Sequence, residues 1–190
     1  MRERFGISSR RWNEKAQIKE CKRPEGYGQA SAKGRQKDCD ARWAKKNGQR
    51  YYGYKNHVKV DAKSKLVMDF ETTAANVHDS QMFNELVDEK DEAVVADSAY
   101  LSESAREHLL KCDCEDFIQL KSYRNRRLSE AQKRTNKLRS RIRVRVEHVF
   151  GRMSQLAMDR LRTIGMVRAR QHNGLSNLVY NMDRYVYLMR

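Results

Sequence analysis

From residue 51 the chain alternates: Tyr52, Tyr54, Val58 and Val60 are interleaved with Lys55, His57 and Lys59. A two-residue period puts the apolar set on one face of a strand and the polar set on the other. Asp61-Ala62-Lys63-Ser64 supplies turn chemistry, after which Leu66, Met68 and Phe70 alternate back out. An antiparallel hairpin with one buried face is expected. A hairpin alone is marginal in water, so later segments must cover it.

Those segments read as layers. Met82, Phe83, Leu86 and Val87 share a face of a short helix begun by Asp79 or Ser80. Val94-Val95-Ala96 is apolar on both sides and suits a central strand. Ser102 caps a helix presenting Leu109 and Leu110, and Phe117-Ile118-Gln119-Leu120 reads as a further strand. Ser129 with Gln132 forms a capping box for a long helix whose stripe is Leu138, Ile142, Val146, Val149, Met153 and Leu156. A last helix carries the stripe Leu175, Leu178, Val179, Met182, Val186 and Met189. The order is that of an α/β domain, a mixed sheet backed by helices, over residues 51–190. Residues 1–50 read as a basic polar arm, extended, partly helical and partly disordered, anchored by Trp12 and Trp43.

Charge is arranged in blocks. Residues 1–65 carry a net +12, residues 66–120 a net −11 and residues 121–190 a net +14, within a total of +15. Basic flanks around an acidic centre suit a protein that grips a polyanion. The same blocks also suit a solvated surface whose segments neutralise one another. No stretch approaches the ~20 apolar residues of a membrane span, so no membrane partner is expected. Arg2, Arg4, Arg10 and Arg11 without an apolar run predict no secretory leader. Cys21, Cys39, Cys112 and Cys114 lack zinc spacing and read as reduced thiols, which predicts a cytoplasmic protein.

Two carboxylates carry the candidate chemistry. Asp97 closes the Ala93–Ala96 run, where open α/β sheets place their sites and where an aspartate also simply opens a turn. Glu147 lies at the edge of the long helix's apolar stripe, one turn after Arg143; an ordinary surface ion pair has the same spacing. His148 beside it orients or packs. Asp79, after His78, reads as a helix cap.

Five ordered blocks then resemble one family. Tyr51-Tyr52-Gly53-Tyr54-Lys55-Asn56-His57-Val58-Lys59-Val60-Asp61 is similar to the second strand of bacterial insertion-sequence transposases of the DDE type, insertion-sequence-five group. Thr73–Ser80, Val95–Tyr100 and Arg143–Gly151 are similar to three further blocks, and Arg162–Gly165 followed by Asn177–Met182 to the last. The resemblance covers about residue 36 to the end. It implies a ribonuclease H-like (retroviral-integrase-like) mixed sheet with flanking helices. It also implies DNA transposition: cleavage and strand transfer at insertion-sequence ends, with Mg²⁺ or Mn²⁺.

By the same resemblance Asp97 matches the second catalytic aspartate, Glu147 the catalytic glutamate and Arg143 the arginine of a Tyr-x2-Arg-x3-Glu-x6-Lys pattern. Asp97 and Glu147 would be metal ligands converging on one position. Ser140 and Ser154 stand at the tyrosine and lysine positions, so the pattern is half kept. Residues 1–35 contain no aspartate, and the chain reads as beginning after the first catalytic strand, with Asp38, Asp40 and Asp61 poor substitutes. DNA contacts are expected from Lys55, Arg139, Arg141, Arg145 and Arg152. The implied partners are double-stranded DNA, as terminal repeats and target, and a second copy in a homodimer at the nucleoid. The alternative is a truncated, catalytically inactive remnant that still binds DNA.

Overall fold

The computed structural model describes residues 32, 37–46, 48–100, 102–123, 127–158 and 160–190. Most of the arm expected at 1–50, Trp12 included, lies outside them. Its last part is a strand: β1 (Arg42–Lys46) pairs antiparallel with the start of β2 (Gln49–Val60), Arg42 opposite Gly53. The rest of β2 pairs antiparallel with β3 (Val67–Ala74), from Tyr54 opposite Ala74 to Val60 opposite Val67. The expected hairpin is present. Its turn is tied by Asp61, whose Oδ2 accepts from the Ser64 amide and hydroxyl, both at 2.6 Å. These bonds hold the Asp61 carboxyl below its usual range.

Both faces of the hairpin are covered. Val58 and Val60 pack against a core of Val67, Val149, Met153 and Tyr180. The face bearing Lys55, His57 and Lys59 meets the acidic segment instead. Lys59 Nζ reaches Asp91 at 2.7 Å and Asp88 at 3.5 Å, and Lys55 Nζ reaches Asp79 at 2.8 Å. His57 is buried, with Nε2 2.8 Å from the Thr73 hydroxyl. The acidic block thus serves partly as a counter-layer to the basic strand.

That layer runs through a 3₁₀ turn (Asp79–Met82), α1 (Phe83–Leu86), β4 (Ala93–Val94), a second 3₁₀ turn (Ser98–Tyr100), α2 (Glu103–Lys111) and β5 (Glu115–Asp116). His78, rather than Asp79 or Ser80, caps the first turn; Ser102 caps α2 as expected. Phe83, Val87, Ala105, Leu109, Cys114 and Ile118 form its core, whereas Leu110 is exposed. β4 was expected to be a central strand. Among the described residues it belongs to a two-stranded parallel sheet, with β5 on one edge only. The pairing continues as backbone bonds from the Phe117 amide to Val94 and the Gln119 amide to Ala96, so the Phe117–Gln119 strand persists in these contacts.

Two long helices complete the fold. The capping box of Ser129 and Gln132 opens α3 (Glu130–Gln155), and α4 (Met166–Leu188) follows. The α3 stripe is buried only at Val149 and Met153; Leu138 and Ile142 are exposed. The stripe expected to bury α4 faces outward: Leu178 is 54 %, Met182 60 % and Met189 70 % exposed. Its inner face is Ala169, Asn173, Ser176, Asn177 and Tyr180. Asn173 Nδ2 donates to the Thr72 hydroxyl at 2.9 Å, and Asn177 pairs with Asn56 at 3.0 Å. Asn181 bonds both the amide and the carbonyl of Val67, each at 2.8 Å. A side chain at Gly174 would meet the Phe70 ring at 3.1 Å, so the helix lies close to the sheet. Small and amide side chains allow that approach, and larger apolar ones do not. No helix among the described residues is long and apolar enough to cross a membrane.

The reversal of α4 is measurable by urea unfolding. Leu109→Ala, in the core, should cost about 2–5 kcal/mol. Leu178→Ala, in the stripe that sequence periodicity assigns to the interior, should change stability by no more than about 0.5 kcal/mol.

Candidate nucleic-acid interface and carboxylate site

Asp97 follows the β4 extension and is exposed. Its Oδ1 accepts from the Ser98 amide at 2.6 Å, and its carbonyl accepts from the Tyr100 amide at 3.0 Å. Burial pushes the Tyr100 phenol up to about 12, and Asp79 and Asp97 both add to the rise. Two carboxylates therefore act on this one ring. Asp79 is already engaged by Lys55, while among the described residues the Asp97 carboxylate bonds only within its own turn.

Glu147 comes from α3, which spans the two sheets. Near its start, Asn136 bonds the Leu120 amide and carbonyl, each at 2.9 Å, and Ser140 accepts from Gln119 Nε2 at 2.6 Å. Farther along, Arg145 donates to the Ala62 carbonyl and Lys65 Nζ lies 3.1 Å from His148 Nδ1, both at the β2–β3 turn. The helix thus leaves β5 and arrives at the hairpin, and residues 141–147 occupy the span between those anchors. Glu147 Oε1 sits 2.7 Å from Arg143 Nη2, with the carboxylate 54 % exposed. An exposed pair of this spacing contributes only ~0.3–0.5 kcal/mol. Arg143 Nε is buried without a partner.

Gln119 links the strand end before Asp97 to α3. Its amide donates to Ala96, the residue before Asp97, and its side chain donates to Ser140 on α3. Ser140, Arg143 and Glu147 share one helical face, with Glu147 about 10 Å beyond Ser140 along the axis. Among the described residues no three His, Cys, Asp or Glu side chains gather into a metal-binding group. The pair fits a magnesium ion in kind, as exposed hard oxygen donors, but not in number.

The five cations expected to face DNA divide sharply. Lys55 donates to the Val77 carbonyl and Asp79. Arg139 donates to the Ile118 and Asp116 carbonyls and lies over the Phe117 ring, clamping α3 to β5. Arg145 is bound to Ala62, and Arg152 forks onto Asp183 at 2.7 and 2.8 Å. Arg141 is exposed, with no hydrogen bond or ion pair to the described residues. Arg134 and Lys137, seven and four residues before it, are exposed in the same way. Their three-and-four spacing was legible in the sequence as one helix face. The first two aspartates of the sequence are structural: Asp38 accepts from Tyr54 and from the Gly165 amide, and Asp40 from the Met166 amide, at the start of α4.

The family model for a transposase DDE domain matches residues 29–182. A transposase for insertion sequence element IS1106, from Neisseria meningitidis serogroup B, is 34% identical over 149 residues, covering 77% of this chain and 51% of its own length. The chain spans about half the length of that relative. No solved structure matches it.

Two tests follow from these contacts. Arg139→Ala, which unclamps two carbonyls, should lower stability by about 1–3 kcal/mol, and Arg141→Ala should leave it within about 0.5 kcal/mol, both read by chemical denaturation. His57 supplies a pH dependence. Burial, the largest cause, lowers its pKa against the opposing pull of Asp79. A depressed folded value means this contribution to stability is complete above the ordinary pKa of about 6.5. It is lost as the pH falls from there through the folded value. Unfolding midpoints at pH 7.5 and 5.5 should differ more for the wild-type chain than for His57→Gln.

Proposed function

This chain belongs to the transposase DDE domain family, and from that premise we propose that it is the catalytic part of an insertion-sequence transposase. Its substrate is double-stranded DNA at element ends, and its reaction is phosphodiester cleavage followed by strand transfer. One observation carries the reading: α3, the helix that carries the Arg143–Glu147 pair, presents on another face Arg134, Lys137 and Arg141 as an exposed row with no partner among the described residues. Successive cations rise by about 4.5 and 6 Å along the helix, a spacing suited to a phosphate backbone.

Beyond the mixed α/β architecture, the proposed fold is ribonuclease H-like, with both small sheets contributing to one layer crossed by α3. The proposed catalytic unit is residues 51–190, with the arm adding β1 to its edge. Asp97 and Glu147 are proposed as two ligands of a divalent metal, Mg²⁺ or Mn²⁺. Such an ion supplies charge neutralisation at the reacting phosphate. The residues' own tasks are separate. Arg143 holds the Glu147 carboxylate, Gln119 ties the strand end of Asp97 to α3, and the cation row holds the DNA. A homodimer is proposed for the active complex; the outward α4 stripe is an apolar surface of the kind that marks interaction sites. The small number of gathered carboxylates favours a second reading, a transposase remnant that binds DNA and does not cut it.

Fluorescence anisotropy on a terminal-repeat duplex tests the first claim. With ~6–10 phosphates contacted, affinity should fall ~10³–10⁵-fold between 50 and 200 mM salt. Replacing Arg134, Lys137 and Arg141 by Ala should flatten the salt slope by about 3. Salt-insensitive binding, or a slope indifferent to the triple change, would refute DNA recognition by this face. Strand cleavage with Mg²⁺ or Mn²⁺ that disappears in Asp97→Asn and in Glu147→Gln supports catalysis. Tight binding with no cleavage by the wild-type chain selects the second reading.

A further inference from the structure

We propose that the cavity beside the C-terminal end of α3 is a phosphate pocket that takes one backbone phosphate of the bound DNA strand. It measures about 630 Å³ and is lined by Ser154, Ala157, Arg160, Arg162, Thr163 and His172. Two guanidinium groups border it, and none of these lining residues is acidic. Thr163 Oγ1 and His172 Nδ1 are buried and have no hydrogen-bond partner among the described residues. Buried polar groups without partners are rare, and a ligand is one of the few things that satisfies them. With its proton on Nδ1, His172 donates, as does the threonine hydroxyl. Two short-range donors and two arginines lining one cavity form a set of groups suited to a tetrahedral oxyanion.

The walls are held in place. His172 stands on α4 beside Asn173, which is fixed to Thr72. The loop carrying Arg160, Arg162 and Thr163 ends at Gly165, whose amide donates to Asp38 at 3.1 Å. Gly165 takes φ 93, a backbone geometry that favours glycine, so the entry into α4 is conformationally specified. The position suits a strand rather than an isolated ion. Ser154 lies seven residues past Glu147 on the same face of α3, about 10 Å along the axis. That equals roughly three nucleotide rises of ~3.4 Å along a duplex axis lying parallel to α3. A strand presenting one phosphodiester at Glu147 therefore brings another to the cavity, and the volume accommodates its sugar. The inference rests on the DNA reading given above.

Imidazole NMR of the full chain, with His172 assigned by comparison with His172→Gln, gives a readout independent of other substitutions. Inorganic phosphate alone and a 12-base-pair duplex are the two probes. Both should move the His172 signals, and Arg160→Ala/Arg162→Ala should reduce the salt slope for duplex binding by about 1. Thr163→Val should weaken duplex binding with the slope unchanged. If the duplex binds while His172 and the slope stay unmoved, the pocket is refuted and the DNA reading stands. If inorganic phosphate moves His172 and the bound duplex does not, the cavity serves a free anion and the proposal fails. Absence of any duplex binding by the wild-type chain removes the DNA reading, and this proposal with it.

Discussion

The contact on which the rest of the molecule depends is made of amides. Asn173, Asn177 and Asn181 recur along the inner face of α4 and bond Thr72, Asn56 and the Val67 backbone. Each bond has a fixed partner, which favours one axial register; sliding the helix by one or two residues would turn these amides away from their partners and leave them unpaired in a dry seam. That register sets Tyr180 beside Val149 and Met153, which seats the second half of α3. It also sets the start of α4 where Asp38 and Asp40 receive its first amides.

With α4 fixed, α3 can act as a beam. Its polar ends are spoken for: Asn136, Arg139 and Ser140 on the β5 side, Arg145 and His148 on the hairpin side. Several α3 cations serve as joinery within the chain, and the exposed α3 cations Arg134, Lys137 and Arg141, which have no partner among the described residues, form one row. The acidic layer is likewise divided between tasks. Asp79, Asp88 and Asp91 hold the strand lysines, leaving Asp97 exposed. Electrostatics here sorts residues into fasteners and recognition groups, and only the three-dimensional partners reveal which is which.

Much of this was legible in the amino-acid order. The β2–β3 alternation, the Ser102 cap and the Ser129 box are local signals, decided within a few residues, and the structure contains them. The failures have a common cause. α4 carries a clean apolar stripe, and periodicity assigns such a stripe to the interior. The hairpin face it meets, however, bears Asn56 and Thr72, which select amides. The complementarity lies in two segments far apart in the chain, where no local period can register it. β4 misled for a related reason: an apolar run reports burial, not the number of neighbouring strands. The contacts of Lys55 and Arg139 were equally invisible to local pattern, since their partners come from other elements.

The amide seam also bears on time. Asn173 finds Thr72 across 101 residues, and the Gly165 amide finds Asp38 across 127. At synthesis rates of ~5–20 residues per second, the hairpin emerges about 5–25 s before its covering helix exists. An apolar docking face left open that long would invite association with other nascent chains. A face that intersperses Asn56 and Thr72 among its apolar side chains can wait in water with those polar groups satisfied by solvent. The polarity of the seam thus lets an early hairpin tolerate a late partner.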